Sequence, residues 1–545
     1  VAYATQAKGW LSVLTGLQQL SRRHFMVFAG TVAAAASVAR PATAAGSGAT
    51  CPPPDPATPK RQFRAMWIAS VTNIDWPSRQ GLDAATQQAE YLSWLDEALR
   101  WRLNAVIVQV RPTADAFWPS PYEPWSEWLT GTQGQDPGYD PLDFLVREAH
   151  RRNLEFHAWF NPYRVSMQAD PGHLAPDHPA RQHPDWIVSY GGRLYYNPGI
   201  PEVRRFVEDA ILDAVKKYDI DAVHFDDYFY PYPVGTEEFD DQETYERYGA
   251  GFPDKASWRR NNVDLLVSEL SRRIKQHKPW VKFGISPFAV WRNKATDPEG
   301  SDTQAGVQTY DDLYADTRRW VREEWIDYIV PQVYWNIGFA PADYAKLVPW
   351  WSAEVTDTNV ALYIGQATYK AGTSTQDPAW SDPQEMTRHL TFNRDYPQVS
   401  GDVYFSAKDV RADRLGNMSI LAADHYSRPA LIPVMPQLPG RAPKQPVVTR
   451  AERSAEGVRL SWVDRSTPWR RATSFAIYRF EGSQVDSCGF GDARFLLATV
   501  RAQPGPLQSY VDTTAQRDKT YTYVVSALDR LHHESAPSKA RTARP

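Results

Sequence analysis

Between residue 61 and about residue 426 the sequence repeats one pattern eight times: a short β-branched or aromatic run, then an amphipathic helical stretch. The runs fall at residues 64–70, 104–110, 154–160, 220–226, 281–287, 326–334, 360–366 and 402–406. The helical patterns cover residues 84–102, 141–152, 201–218, 257–276, 309–324, 341–354, 382–393 and 407–425. Pro201-Glu202 shows how such a helix starts: proline fits a first turn whose N–H has no partner, and an acid there complements the helix dipole. Eight strand–helix units in series predict a closed (β/α)8 TIM barrel, an α/β fold, rather than an open doubly wound sheet. No glycine-rich phosphate loop follows the first run, which argues against a dinucleotide fold.

The rest of the chain is organised around this repeat. Residues 1–45 carry Ser21-Arg22-Arg23-His24-Phe25-Met26, an apolar stretch at 27–39 and then Ala42-Thr43-Ala44. This resembles a twin-arginine export signal with cleavage near Ala44, and its apolar stretch is too short to span a bilayer. The expectation is a protein secreted or associated with the cell envelope. Residues 46–60 form a proline-rich spacer, and Gly48-Ala49-Thr50 before Cys51 matches a lipid-attachment box poorly, so a soluble form is expected. The barrel is assigned to 61–427 and a proline-rich, semi-rigid linker to 428–447. Residues 448–545 contain strand patterns only, at 458–462, 475–479, 509–513 and 520–528, and predict a small all-β sandwich. With Trp462 early and Tyr521 and Tyr523 late, it resembles a fibronectin type III domain. It shows no ionisable cluster, so an accessory or spacer role is expected.

Composition narrows the partners. A formal net charge of -4 lacks the basic field of a nucleic-acid binder. Aromatic residues make up 13% of the chain, and their faces suit sugar rings as well as cores. Two cysteines, Cys51 and Cys488, exclude a disulfide framework and leave a single bridge open. No metal-ligand spacing is present, and no cofactor is expected.

The fourth run ends in Asp221-Ala-Val-His-Phe-Asp-Asp-Tyr-Phe-Tyr-Pro-Tyr-Pro233. Because side chains alternate along a strand, His224 and Asp226 share a face, and the C-terminal end of a barrel strand is where a catalytic carboxylate would sit. Other runs deliver polar groups to the same end. The second gives Gln109, Arg111 and Asp115, and the third gives His157, Trp159, Asn161 and Arg164, with Asn197 beyond. The fourth adds Asp227 and Tyr228, the fifth Ser286, Trp291 and Arg292, the sixth Gln332, Tyr334 and Trp335, and the seventh Gln366. Amides, arginines and aromatic planes converging on acids suit a polyhydroxylated sugar, and Trp118, Trp125, Trp128, Tyr230 and Tyr232 could add to the cleft.

Several segments carry a resemblance to a known family. These are Phe63-Arg-Ala-Met-Trp67, Val110-Arg111-Pro-Thr-Ala-Asp115, Pro124-Trp125-Ser-Glu-Trp-Leu-Thr-Gly131, His157-Ala-Trp159-Phe-Asn-Pro-Tyr-Arg164, Asn197-Pro-Gly, His224-Phe-Asp-Asp-Tyr-Phe-Tyr-Pro, Ile285-Ser-Pro-Phe and Pro331-Gln-Val-Tyr-Trp335. In this order, over most of residues 61 to about 426, they resemble the glycosyl-hydrolase-like family ten domain of bacterial cell-envelope proteins. The resemblance implies a barrel glycoside hydrolase, similar in layout to the α-galactosidase and α-amylase clans, acting on cell-wall glycan strands.

Glycoside hydrolysis needs one carboxylic acid to protonate the leaving oxygen and one carboxylate as nucleophile or base. Asp226 is the first choice for nucleophile or base, since similar clans place theirs after strand four, and Asp227 replaces it if the strand runs one residue further. Those clans take the acid from strand six, where this sequence has Gln332, Tyr334 and Trp335 and no acid. Asp115 and Asp302 are the alternatives for the second carboxylate, with Asp75, Glu123 and Glu127 behind them, and Asp115 could instead pair with Arg111 four residues away. Two further readings stay open: a noncatalytic glycan-binding barrel, and a metal-dependent polysaccharide deacetylase-like enzyme using Asp226, Asp227 and His157.

Overall fold

The computed structural model describes residues 51, 53–373, 377–467 and 470–544, so the expected export signal lies outside it. Eight parallel strands close into a barrel: β1 (Phe63–Ile68), β2 (Ala105–Arg111), β3 (Glu155–Phe160), β4 (Ala222–Phe225), β5 (Lys282–Ile285), β6 (Tyr328–Ile329), β7 (Ala361–Gln366) and β8 (Val399–Tyr404). Each pairs with its neighbours in sequence, and β1 closes the ring by pairing with both β8 (Phe63 opposite Gly401) and β2 (Ala65 opposite Ala105). Such strands are covered on both faces, which is why β2 reads Ala-Val-Ile-Val-Gln-Val-Arg and is buried throughout.

A helix follows each strand. These are α1 (Ala84–Arg100), α2 (Pro141–Arg151), α3 (Pro201–Lys217), α4 (Lys255–His277), α5 (Thr317–Arg322), α6 (Tyr344–Val355), α7 (Glu385–Asn393) and α8 (Asn417–His425). Three expected elements come out shorter or broken. The pattern at 309–324 splits into Thr309–Asp312 and α5, because Tyr314 turns to a φ of 53° and Asp316 caps a new start by accepting from the Arg319 amide. The pattern at 407–425 splits into Ala407–Ala412 and α8 at Asp413, Leu415 and Gly416, whose φ values are 42°, 57° and 71°. β6 is only two residues long, since Pro331 has no N–H for the ladder and pairing resumes only as isolated bridges of Gln332 to Phe288 and to Gly365.

Alternation sorts the side chains. Met66, Ile68, Val106 and Val108 face the helices, whereas Phe63, Ala65, Trp67, Ala105, Ile107, Tyr328 and Tyr363 fill the barrel axis. At the N-terminal end of the strands, the inward Glu155 carboxylate holds Lys282 Nζ at 2.5 Å. The floor is then sealed by Ile432, Met435 and Leu438 of the linker and by Leu531.

Leu531 belongs to a sandwich of two antiparallel sheets. One holds β9 (Val447–Ser454), β10 (Gly457–Val463) and β13 (Leu507–Asp512); the other holds β12 (Leu496–Arg501), β11 (Ser474–Glu481), β14 (Tyr521–Leu528) and β15 (Arg541–Ala543). They share one core, in which Trp462 meets Phe475 edge-on. The sandwich is tied to the barrel by ionisable contacts. From the turn after β14, Arg530 reaches Asp219 at 2.9 Å and Asp221 at 3.3 Å, His532 Nε2 reaches Glu155 at 2.7 Å, and Glu534 binds Lys60 at 2.7 Å. The sandwich therefore forms part of the barrel's closure.

Candidate active site

β4 stops at Phe225, and Asp226 continues its inward face at the C-terminal mouth of the barrel. Asp226 Oδ2 accepts hydrogen bonds from Asn161 Nδ2 at 2.5 Å and Trp159 Nε1 at 3.2 Å, and Oδ1 accepts from the Tyr228 amide at 3.0 Å. Asn161 is held in turn: Gln109 Nε2 donates to its Oδ1 at 2.6 Å, while Gln109 Oε1 takes the amides of Ser70 and Val71 at 2.9 Å. Arg111 donates to the Asn161 carbonyl and clamps Glu123 through two nitrogens, with Nε at 2.7 Å. Arg164 donates Nε to the Pro112 carbonyl at 3.0 Å and lies over the Tyr228 ring at 5.1 Å, and its Nη2 has no partner among the described residues.

Asp227 stands beside Asp226 with a separate set of donors. Its Oδ1 accepts from Gln332 Nε2 at 3.0 Å and its Oδ2 from the Tyr232 hydroxyl; Gln332 also donates to the Ser286 carbonyl at 2.8 Å. Residues from β2, β3, β4, β5 and the chain just past β6 thus meet around two adjacent carboxylates, 5% and 7% exposed. Burial pushes both carboxyls up. For Asp226 the charge of Arg164, the Tyr228 amide, Asn161 and Trp159 offset part of the rise. Asp227 is raised to about 6 by burial and then by the charge of Asp226. Two carboxyls this close, both raised by burial, favour keeping a proton between them in mildly acidic solution, below about pH 6.

Below the pair runs a line of buried polar groups. Trp67 Nε1 donates to His224 Nε2 at 3.2 Å, so His224 carries its proton on Nδ1 and donates it to the Tyr328 hydroxyl at 3.0 Å. That hydroxyl donates to His157 Nδ1 at 2.8 Å, and His157 Nε2 donates to Glu155 at 3.0 Å. Burial holds His224 neutral, well below the usual imidazole range. In Glu155, burial is outweighed by Lys282, His157 and His532, and its carboxyl lies well below the usual range.

Sequence comparison agrees with this architecture. A family model described as "Glycosyl hydrolase-like 10" matches residues 62–382. The chain belongs to that glycosyl hydrolase-like family. "Glycosyl hydrolase YngK" of Bacillus subtilis is 53% identical over 486 residues, covering 88% of this chain and 93% of the relative. "Glycosyl hydrolase DigH" of Escherichia coli K12 is 42% identical over 374 residues, covering 65% and 85%. Among solved structures, the PgaB (BpsB) glycoside hydrolase domain from Bordetella bronchiseptica shows 12% identity and a TM-score of 0.42, covering 67% of this chain and 99% of that one.

Within this glycosyl hydrolase-like barrel, the structure gathers Gln109, Arg111, Trp159, Asn161, Arg164, His224, Asp226, Asp227, Tyr228, Ser286 and Gln332 into one hydrogen-bonded or stacked cluster. Tyr334 lies close enough for the charges of Asp227 and Asp226 to raise its hydroxyl further after burial, and Trp335 joins through Phe288, which packs on Tyr232. Several other candidates are placed elsewhere. Gln366 points outward from β7, binding Asp402, Tyr344 and His389, because alternation puts Tyr363 on the inner face. His157 spends both ring nitrogens inside the barrel on Tyr328 and Glu155, so it does not join Asp226 and Asp227 as a ligand trio. Among the described residues no cluster of three or more His, Cys, Asp or Glu is arranged to hold a metal.

Trp291 donates to Asp316, Arg292 is tied to Asp311 and Asp297, and Asn197 binds Thr244. Asp302 is an exposed loop acid paired with Lys346 at 2.8 Å, whose hydrogen bond and charge hold its carboxyl below the usual range. Asp115 is fully buried, accepting from Thr113 and more distantly from Gln133, and burial followed by the charge of Glu127 raises it to about 7. It is not the partner of Arg111; that partner is Glu123, twelve residues on, a spacing with no local signal. Asp75 serves the scaffold, accepting from the Ala69 and Lys408 amides and the Ser406 hydroxyl. Trp118 and Trp128 are core, not platform. Sequence reading passed over Lys370, which lies after β7, donates to the Tyr334 carbonyl and is lowered to about 8 by burial.

Proposed function

We propose that this protein is an exported glycoside hydrolase that cleaves a bacterial envelope polysaccharide, with peptidoglycan glycan strands as the substrate class. The observation that carries the reading is the pair at the end of β4: two neighbouring buried carboxyls, both raised by burial, with Asn161, Trp159 and Arg164 offsetting part of the rise in Asp226 and Asp227 reaching about 6. Asp227 donates its proton to the glycosidic oxygen as the bond to C1 breaks, and that oxygen keeps the bonding electrons. Asp226 supplies the negative charge facing the positive charge that develops at C1, and water completes the hydrolysis. Arg164, Tyr228, Tyr334 and Trp335 offer a donor and rings for the sugar around the scissile bond. Export is supported by Arg22-Arg23 and the apolar stretch after them, a glycosidic substrate by the relatives' names as glycosyl hydrolases, and an envelope glycan by the export pattern.

The test is reducing-end release from purified glycan strands. Wild type releases ends, and Asp226→Asn loses at least ~100-fold in rate while still sedimenting with the glycan. Activity falls as pH rises through about 6, since an acid must keep its proton. Binding without release by the wild type across this range would instead assign the barrel as a glycan binder.

A further inference from the structure

At the opposite end of β4 from Asp226, a cavity of 1110 Å³ opens between the linker, Thr467 and residues 470–473, and the turn after β14. Its ionisable lining is one-sided: Arg441, Arg470, Arg471, Arg501 and Arg530, against the single acid Asp529. That acid is already committed, because its two oxygens take the amides of Arg441, Leu531 and His533 and the His533 ring. Arg530 is also committed, to Asp219 and Asp221 with its guanidinium 5.4 Å from Trp280.

The other four arginines have no side-chain hydrogen bond or ion pair among the described residues. Arg501 is the most telling of them. It sits at the end of β12, half-buried and in no direct ion pair, and burial pulls its affinity for a proton down although the charges of Asp221, Asp219 and Glu155 offset part of that. It also lines two further cavities, of 40 and 430 Å³, where acids balance the charge: Glu155, Asp219, Asp221 and Asp529 in the smaller, and Asp143 and Asp219 beside Arg147, Arg151 and Lys217 in the larger. In a chain whose formal net charge is -4, positive charge is thus concentrated in the channel of 1110 Å³. Guanidinium groups lining one cavity with few acids among them repel, and they present planar forks that fit two oxygens of a phosphate or carboxylate.

We propose that this channel binds a polyanion whose phosphate or carboxylate groups repeat along a chain, holding the enzyme on an anionic envelope polymer while the far end of the barrel works on glycan. A single small anion would meet only part of the basic lining, whereas a polymer can meet Arg441, Arg470, Arg471 and Arg501 in turn. The site does not depend on Asp226 being catalytic.

The test uses the full chain. Its affinity for polyphosphate, poly-L-glutamate, neutral dextran and duplex DNA is measured by fluorescence anisotropy from about 20 to about 300 mM salt. Wild type is expected to bind polyphosphate or polyglutamate and not dextran, with affinity falling steeply as salt rises; the tighter of the two identifies phosphate or carboxylate as the recognised group. Arg470→Ala/Arg471→Ala, at two exposed positions, and the same pair with Arg501→Ala should each bind ~10-fold or more weaker, with a salt slope shallower by about one per lost contact. Lysine replacements should keep the slope and lose part of the affinity, because the charge stays and the fork goes. Asp226→Asn should bind as wild type does. No wild-type preference over dextran, unchanged affinity in folded alanine variants, or tighter binding of DNA than of either polyanion would each overturn the proposal.

Discussion

Asp226 and Asp227 are adjacent in the chain, yet the structure gives them separate donors, and the difference in chemistry follows from that. The sequence showed the pair and its place at a strand end, since alternation alone turns His224 and Asp226 inward. It did not show how each carboxyl is held, because that depends on Asn161, Trp159 and Gln332 arriving from other strands and on Tyr232 folding back from the loop after β4. Asp115 makes the same point in reverse: its motif suggested catalysis, and its full burial makes it a cost to the fold. Its carboxyl titrates near 7 when folded against an ordinary value of 3.8, so the folded state holds more protons between those values and stability falls as pH rises through that window. Asp115→Asn should therefore be more stable than wild type above pH 7, by an amount bounded at ~4 kcal/mol, and equal to it near pH 4, as read from urea melts at both values.

The barrel elements were legible because most strands are largely apolar and several helices carry a start signal: Asp83, Asp140 and Asp254 accept amides of the first turn, and Pro201 opens α3. The exceptions have local causes that periodicity does not register: Pro331 cutting β6 short, and the left-handed backbone at Tyr314 and Asp413 breaking two helical stretches. Gln366 was misplaced for a related reason, since its side depends on which residues of β7 face inward, and Tyr363 takes the axis. Inside the barrel, the short β6 contributes the Tyr328 hydroxyl that joins His224 to His157. Tyr328→Phe leaves a buried ring nitrogen without a partner on each histidine and should cost ~1–3 kcal/mol in denaturant unfolding. A loss below the scatter of such melts would show that the two imidazoles do not depend on that bridge.

At the scale of the whole molecule, the linker and sandwich could be recognised by composition, but their attachment could not. Single residues make it: Leu531 enters the floor cluster, His532 meets Glu155, and Arg530 spans Asp219 and Asp221. Glu155→Gln removes the carboxylate that Lys282 and His532 share and should cost ~3–5 kcal/mol, because it leaves a buried ammonium unpaired. By the same attachment, barrel and sandwich should melt in one calorimetric transition in wild type. Two separate transitions would show that the sandwich is a tethered neighbour.

The central claim is that Asp227 acts as the acid and Asp226 as the anion at C1, and the most direct measurement compares two leaving groups. On glycan strands, whose leaving alcohol needs a proton, Asp226→Asn and Asp227→Asn should both fall at least ~100-fold in kcat/KM. On an aryl glycoside of the same sugar with a strongly acidic phenol as leaving group, Asp227→Asn should recover most of the wild-type rate and Asp226→Asn should not. An Asp226→Asn enzyme that hydrolyses either substrate at the wild-type rate would contradict the account.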